Sequence, residues 1–255
     1  MLNPKDYLQA SVFSPENLLR EARRQKNLPL ASVPSTCLLD PDGDIVQFVL
    51  KTNKAKLDKY WACYHTNLYR VHFEDEVFGI IGNAVGAPFA VLLAEQCFAS
   101  GCNTLISITS AGIINPTKNN SKFILIESSL RDEGTSFHYL PPDKESKIQD
   151  HLLKNLLPLI ENQELSLELG KSWTTDAPYR ETKSAIDYAK SKGVHSVEME
   201  SSALYAFALA KKKDVICFAH LTNSMAQSEI DFEKGIENGS IDSLNLVYRT
   251  IQALK

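Results

Sequence analysis

Two carboxylates separated by one residue stand just before the most hydrophobic stretch of the chain. They are Glu198 and Glu200, in the sequence VEMES at residues 197–201. If this segment is extended with Met199 turned inward, both carboxylates point to the opposite face and form a pair. The alternative is that they are acids at the N-terminus of a helix, where the macrodipole favours them for structural reasons. Taken alone, the two residues favour that alternative.

Two glycine-containing turns follow predicted strands and could receive a ligand. Residues 82–88, which include Asn83, lie between a strand and a helix, where glycines let a ligand approach the backbone and the helix N-terminus favours an anion. Residues 107–112 end another strand, and the hydroxyls of Thr109 and Ser110 could meet an anion or a sugar. Because ligands of open α/β sheets bind outside the carboxyl ends of the strands, both turns would line one crevice. The alternative for each is a tight structural turn.

Two further loops carry ionisable and aromatic side chains. Residues 131–142 follow a strand and combine charges, aromatic rings and a glycine, which is typical of binding loops. A solvated loop with a pair between Arg131 and its neighbouring aspartate is the alternative. In residues 174–182, Tyr179 could stack on a planar ligand and Arg180 could bind an anion. The alternative there is the capped start of a helix.

These loops are connected by segments that alternate between strand and helix patterns. The predicted strands cover residues 77–81, 104–108, 123–126, 165–170 and 215–220. The predicted helices cover residues 15–26, 51–61, 89–100, 147–161, 182–191, 202–211 and 243–254. The alternation is continuous over residues 1–255, so it predicts one α/β domain with a βαβ crossover.

The composition excludes several classes of protein. Of the 255 residues, 44% are hydrophobic and 23% are charged, and 27 basic and 31 acidic side chains give a net charge of −4. This balance is typical of a globular protein and argues against a general binder of nucleic acid or of anionic membranes. No apolar stretch approaches the roughly 18 residues of a membrane helix. Five scattered cysteines without a CxxC pair predict reduced thiols in the cytoplasm, with neither disulfides nor a metal site.

Taken together and in this order, the segments resemble the nucleoside phosphorylase family, of the uridine and hexameric purine phosphorylase type. The most specific matches are VEMES, RDEGTSFHYLPP at residues 131–142 and TTDAPYRET at residues 174–182. The resemblance runs from about residue 80 to about residue 229, whereas the first 75 residues match poorly. It implies a single nucleoside phosphorylase-like domain with a mixed, partly closed central β-sheet flanked by helices. It also implies a homo-oligomer, either a dimer or a hexamer built as a trimer of dimers.

The family cleaves the N-glycosidic bond of a purine or pyrimidine nucleoside with phosphate, giving a free base and a sugar 1-phosphate, and a related branch uses water. Phosphate is a co-substrate, and no cofactor is implied. Cleavage leaves positive charge on the sugar, which nearby carboxylates stabilise. The resemblance implies that Glu200 holds the ribose 2′ and 3′ hydroxyls, that Met199 packs on the sugar and that Glu198 supports the pocket. It places Pro178 and Tyr179 beside the base.

The phosphate end of the family's site is only partly matched. Asn83 and Gly112 fall where the family has its glycine turns, and Ser110 keeps a hydroxyl where the family has threonine or serine. The family's phosphate-binding arginine falls on Ser107, and its N-terminal phosphate loop falls on residues 40–44, whose three aspartates would repel phosphate. Three arginines are left as candidates for the missing positive charge: Arg70, Arg131 and Arg180.

The base end departs as well. The aspartate that protonates the leaving purine in the family falls on Asn223, which can hydrogen-bond a base but cannot act as a general acid. The glutamine and arginine that read a pyrimidine fall on Thr182 and Ser184. The leading hypothesis is therefore a divergent nucleoside phosphorylase, a pentosyltransferase. A hydrolytic nucleosidase and a catalytically silent nucleoside-binding protein remain as alternatives, while the absence of GxGxxG disfavours a dehydrogenase.

Overall fold

A computed structural model describes residues 6–161, 165–223 and 234–255 of the chain. Its strands are β1 (Thr36–Asp40), β2 (Ala55–Leu57), β3 (Tyr69–Phe73), β4 (Glu76–Gly82), β5 (Thr104–Ile113), β6 (Phe123–Asp132), β7 (Glu145–Lys147), β8 (Leu167–Thr175), β9 (Val194–Glu198) and β10 (Asp214–Asn223). Its α-helices are α1 (Pro15–Lys26), α2 (Asp44–Lys51), α3 (Ala87–Ala99), α4 (Asp150–Glu161), α5 (Lys183–Ser191), α6 (Ser201–Lys211) and α7 (Ser240–Ala253). Within these residues, no helix has the length and apolarity that a membrane span requires. The end of the region of resemblance, residues 224–229, lies outside the described residues.

These strands form one mixed sheet in the order β10-β6-β8-β9-β5-β1-β4-β3-β2, with β7 beside β6. Strand β10 also pairs with β5, so β5, β9, β8, β6 and β10 close into a ring that the remaining strands extend. Both parallel and antiparallel pairs occur, for example β6–β8 and β6–β10. The predicted α/β fold with a mixed central β-sheet flanked by helices is therefore confirmed.

Strand β5 brings distant parts of the chain together, because three other strands pair with it. Its first half lies between β1 and β10. Its last residues, Gly112 and Ile113, pair with Val197 and Ser196 of β9. The turn at the end of β5 therefore lies next to the paired glutamates at the end of β9.

Helix α6 is a buried helix that begins directly after those glutamates. Its first eight residues, Ser201 to Ala208, are all buried. The Tyr205 hydroxyl donates to the Ile126 carbonyl at 2.6 Å and accepts from the Cys217 amide at 3.1 Å. These bonds attach α6 to β6 and β10, so the position of Glu200 at its N-terminus is fixed by the core.

The predicted helix over residues 51–61 is wrong, because the helix lies earlier in the chain, at α2. Ile45, Val46 and Val49 form the buried face of α2. Asn53 then takes a φ of 57°, in the left-handed region, and β2 follows. A helix of 8 residues with no side-chain cap at its start is stabilised by tertiary packing, which the local pattern does not reveal.

Candidate active site

A cavity of about 370 Å³ opens where the ends of β5, β8 and β9 meet. Nine of the predicted site residues line it: Thr109, Ser110, Gly112, Pro178, Tyr179, Glu198, Met199, Glu200 and Asn223. Its wall also includes side chains that the sequence did not single out as ligand-binding, among them Asp42, Val85 and Glu181. The described chain thus brings residues from positions 41 to 223 around one space large enough for a small ligand.

Glu198 is a buried carboxylate that is surrounded by hydrogen-bond donors. Its Oε2 accepts from the backbone amides of Glu200 at 2.8 Å and Ser201 at 2.7 Å. Its Oε1 accepts from the hydroxyls of Ser201 and Thr174, both at 2.6 Å, and of Ser172 at 3.0 Å. Glu198 therefore stabilises the N-terminus of α6 and fixes the bend from β9 into that helix.

Glu200 is almost completely buried, with 2% of its surface exposed. Its Oε1 accepts from the Gly86 amide at 2.6 Å, and its Oε2 accepts from the Met199 amide at 3.3 Å. Burial, and then the nearby charge of Glu198, raise the pKa of Glu200 well above its ordinary value. A negative charge at Glu200 is therefore costly at this buried position and becomes favourable when a positive charge develops beside it.

The glycine turn at residues 82–88 holds this carboxylate. Gly86 has a φ of 91°, which favours glycine, and it precedes the first residue of α3. The sequence suggested that an anion would lie at this helix N-terminus, and the anionic group found there is the Glu200 side chain, 114 residues further along the chain. Asn83 of the same turn does not line the cavity; its backbone amide donates to the Asp40 carbonyl at 2.9 Å and joins the turn to β1.

Asp42 binds the turn at the end of β5 with its carboxylate. Its Oδ2 accepts from the Ser110 amide and its Oδ1 from the Ser110 hydroxyl, both at 2.9 Å. Lys234 lies behind Asp42, with Nζ at 3.5 Å from Asp42 Oδ1 and at 2.6 Å from Asp44 Oδ2. Although burial opposes its charge, hydrogen bonding to Asp44 and the charges of both aspartates raise the pKa of Lys234, so its ammonium stays charged.

None of the three candidate arginines lines the cavity among the residues that the structure describes. Arg70 lies in β3, one of the strands that extend the ring, and forms an ion pair of 2.6 Å with Asp58. Arg180 lies in the exposed turn Pro178–Arg180. The missing positive charge is therefore not supplied to this cavity by any of them.

Arg131 holds its own loop together. Its guanidinium donates to the Ser136 hydroxyl at 2.8 Å and to the carbonyls of Pro141 and Leu140 at 2.8 and 3.2 Å. It also stacks on the Phe137 ring at 4.3 Å. Because all of these contacts lie within residues 131–142, the arginine closes that loop upon itself.

Replacing Arg131 with methionine is expected to lower the free energy of unfolding by about 3 kcal/mol, because one buried hydroxyl and two partly buried carbonyls lose a charged donor. Urea denaturation of the variant checks this expectation. The matched control is Arg180→Met, which changes an exposed arginine and should leave stability unchanged. An Arg131 variant as stable as the wild type would show that the loop does not depend on these bonds.

Glu181 is the site residue that sequence reasoning missed. It follows Tyr179 by two positions, is half-buried and lines the cavity. Burial raises the pKa of its carboxyl to about 7. It lies within the TTDAPYRET match, but nothing in that segment singles out its carboxyl, since its neighbours on the other walls of the cavity come from the ends of β1, β5 and β9, far away in the sequence. Within the described ranges, no three His, Cys, Asp or Glu side chains are grouped as metal ligands would be.

Two comparisons of sequence place the chain among known proteins. A family model described as the phosphorylase superfamily matches residues 40–252, which includes part of the N-terminal stretch that resembled the family poorly. The protein R802 of Acanthamoeba polyphaga mimivirus is 30% identical over 168 residues, which are 66% of this chain. The chain spans 64% of the length of that relative.

Solved structures share the fold. The purine nucleoside phosphorylase of Toxoplasma gondii, in complex with immucillin-H, has a TM-score of 0.70 at 17% identity and covers 87% of this chain and 90% of its own. The 5′-methylthioadenosine/S-adenosyl homocysteine nucleosidase of Campylobacter jejuni has a TM-score of 0.69 at 16% identity, covering 85% and 98%. A phosphorylase and a nucleosidase thus share this fold equally well. With the family match over most of its length, the chain belongs to the phosphorylase superfamily, and the resemblance to nucleoside phosphorylases is confirmed.

Proposed function

We propose that this chain cleaves the N-glycosidic bond of a nucleoside with water as the attacking group, giving a free base and a free sugar. The observation that carries the proposal is that the carboxylate of Asp42 accepts hydrogen bonds from both the amide and the hydroxyl of Ser110. The Ser110 hydroxyl is the donor that the resemblance assigns to the phosphate end of the site, and the same carboxylate also occupies the Ser110 amide. With a carboxylate already bound to them, an incoming phosphate would meet a like charge and no free donor there.

The charges around the cavity support the same conclusion. Its described lining contains four carboxylates, those of Asp42, Glu181, Glu198 and Glu200, and neither arginine nor lysine. Lys234 lies outside that lining and is compensated by Asp42 and Asp44. Phosphate is held in proteins by charged donors, whereas a water molecule needs only hydrogen-bond partners. A carboxylate also suits water chemically, because Asp42 can accept the proton that the attacking water releases.

The remaining roles are those that the family resemblance implies, and the residues concerned all line the cavity. Glu200 is proposed to hold the ribose hydroxyls and to stabilise the positive charge that develops on the sugar. Met199 would pack on the sugar, while Glu198 keeps both residues in place. Pro178 and Tyr179 would flank the base, which the amide of Asn223 could hydrogen-bond.

The family resemblance further supports a homo-oligomer, a dimer or a trimer of dimers. Val85 and Tyr179 stand at the cavity with 53% and 100% of their surfaces exposed. A second copy of the chain could cover these two exposed side chains, which both line the cavity.

Base release from a panel of purine and pyrimidine nucleosides, measured with and without phosphate, tests the proposal. The expected result is release at the same rate in both conditions, with the free sugar as product. Release that requires phosphate and gives a sugar 1-phosphate would overturn the water mechanism. Nucleoside binding without release in either condition would support a silent binding protein instead.

Phosphorolysis is the second candidate, and Lys234 is the observation that favours it. Its ammonium lies 3.5 Å from Asp42, so a rotation of Asp42 away from Ser110 and towards Lys234 would free two donors for phosphate. The phosphate dependence of the same assay separates the two candidates.

A further inference from the structure

Cleavage of an N-glycosidic bond requires a proton as well as an attacking group. The electron pair of the breaking bond moves onto the base, and a base that accepts a proton at a ring nitrogen or carbonyl oxygen leaves more easily. Asn223, which stands where the family has its acid, carries an amide and cannot supply that proton. Under the proposed function, the proton must come from another group in the cavity.

Three of the four carboxylates that line the cavity are held as hydrogen-bond acceptors. Glu198 accepts from backbone amides and hydroxyls on both of its oxygens. Both oxygens of Glu200 accept from backbone amides. Both oxygens of Asp42 accept from Ser110. The oxygens of these three carboxyl groups are therefore already occupied by donors of the chain. Glu200, whose pKa burial raises, is in addition the group that the proposed function assigns to the ribose.

Glu181 differs from all three. Its carboxyl makes no hydrogen bond or ion pair with any residue that the structure describes, although it is half-buried in the cavity wall. Its position is fixed by the chain, since its backbone amide donates to the Pro178 carbonyl at 3.3 Å and closes the turn that carries Tyr179. The Glu181 side chain therefore lies on the wall where Pro178 and Tyr179 are proposed to flank the base.

The surroundings of Glu181 favour its protonated form. The other titratable groups that line the cavity are Asp42 after β1, Tyr179 in the same turn, and Glu198 and Glu200 at the end of β9. None of these is a cation that would stabilise a second negative charge. Burial raises the pKa of the Glu181 carboxyl to about 7, so a large fraction carries a proton near neutral pH.

We propose that Glu181 is the general acid that protonates the leaving base. As the bond from C1′ to the base nitrogen breaks, its electron pair moves onto the base and the carboxyl proton of Glu181 passes to a ring nitrogen or carbonyl oxygen. Water adds to C1′ and gives one proton to Asp42. The products are the neutral base and the free sugar, and the proton returns from Asp42 to Glu181 through solvent. This inference rests on the proposed cleavage of nucleosides but not on the choice of water as the attacking group.

The Glu181→Gln variant tests the proposal, because the amide keeps the size of the side chain and loses the acidic proton. Two substrates are compared: the nucleoside that the wild type cleaves best, and p-nitrophenyl β-D-ribofuranoside, whose phenolate leaves without a proton. We expect kcat/KM for the nucleoside to fall about 100-fold, a typical contribution of a general acid. For the p-nitrophenyl riboside we expect a change of less than about threefold, since no proton transfer is removed.

The pH dependence gives a second readout. An acid works while protonated, so wild-type kcat/KM for the nucleoside should fall as the pH rises through about 7. In Glu181→Gln this alkaline decline should be absent, and in Glu181→Asp, which keeps a carboxyl, it should return with part of the activity. The matched control is Glu161→Gln, at the exposed end of α4, which should behave as the wild type.

Each contrary outcome has its own meaning. Full nucleoside activity in Glu181→Gln overturns the acid role, and an equal loss on both substrates assigns Glu181 a structural role instead. If the wild type requires phosphate, the water mechanism fails but the same comparison is made with phosphate present and still decides the role of Glu181. A wild type that cleaves neither substrate overturns both proposals.

Discussion

Replacing Glu200 with glutamine is expected to lower kcat/KM for nucleoside cleavage about 1000-fold while the fold stays intact, the upper range for the loss of one group that stabilises a transition-state charge. The amide keeps an oxygen that can accept from the Gly86 amide, so the contact of 2.6 Å at the start of α3 can persist. The negative charge next to the cationic sugar is lost. Steady-state kinetics measure the effect, and circular dichroism confirms the fold.

Stability against pH gives an independent check on Glu200. Its pKa in the folded chain lies above the value of 4.5 expected for an ordinary glutamate, because burial and Glu198 disfavour its charge. The protonated form therefore stabilises the fold fully below about pH 4.5, and this contribution is lost as the pH rises towards the folded pKa, by at most about 1.4 kcal/mol per pH unit. Glu200→Gln lacks this loss, so its stability relative to the wild type should increase with pH.

Two results would contradict this account of Glu200. If the kcat/KM of Glu200→Gln lies within tenfold of the wild-type value, the reaction does not depend on the negative charge of Glu200. If the difference in the free energy of unfolding between Glu200→Gln and the wild type is the same at pH 5 and at pH 8, the buried carboxyl does not change its protonation on unfolding. Glu200→Ala is a poorer test, since it also leaves the Gly86 amide without an acceptor in the core.

The parts of the fold that the sequence predicted well are those with strong local signals. Helix α1 has the predicted bounds, because Ser14 caps it and Pro15 begins it. The continuous apolar sequence before Lys211 predicted α6 to within one residue. Helix α2 was missed because its start, at Gly43, has no side-chain cap and its glycine and aspartates are typical of a turn.

The site was only partly predictable, for a physical reason. Motifs located the segments that meet at the cavity, because strand ends and glycine turns have local signatures. They could not show which side chains touch across it. The contact between Asp42 and Ser110 spans 68 positions, and that between Gly86 and Glu200 spans 114. The sequence therefore suggested that the three aspartates repel phosphate, but not that one of them binds the donors at the end of β5.

The Asp42→Ala variant should lose base release about 1000-fold without phosphate, because water loses its proton acceptor; general bases typically contribute between about 100-fold and 10,000-fold. Removing the side chain also opens a space beside the amide and hydroxyl of Ser110. Formate is small enough to occupy that space and supplies the missing carboxylate, so added formate should restore part of the activity. Rates measured against formate concentration, with chloride as the control for ionic strength, check this.

The Asp42→Asn variant separates chemistry from structure. Its amide can still accept a hydrogen bond from Ser110 and fills the same space, but it cannot take a proton from water. We therefore expect it to be as inactive as Asp42→Ala and not to be restored by formate. If Asp42→Ala keeps wild-type activity without formate, Asp42 only supports the turn at the end of β5. The water mechanism would then lack its main support.

Phosphate should leave the wild type almost unaffected but activate Asp42→Ala. In the wild type, the carboxylate satisfies both Ser110 donors and adds a negative charge, so phosphate should change the rate little. In Asp42→Ala the donors are free, and Lys234 loses one of its two aspartate neighbours. Phosphate should then bind and support base release with a sugar 1-phosphate as product. The same base is released from the same sugar in both proteins. Such a gain would therefore show that the carboxylate of Asp42 determines whether water or phosphate attacks the sugar.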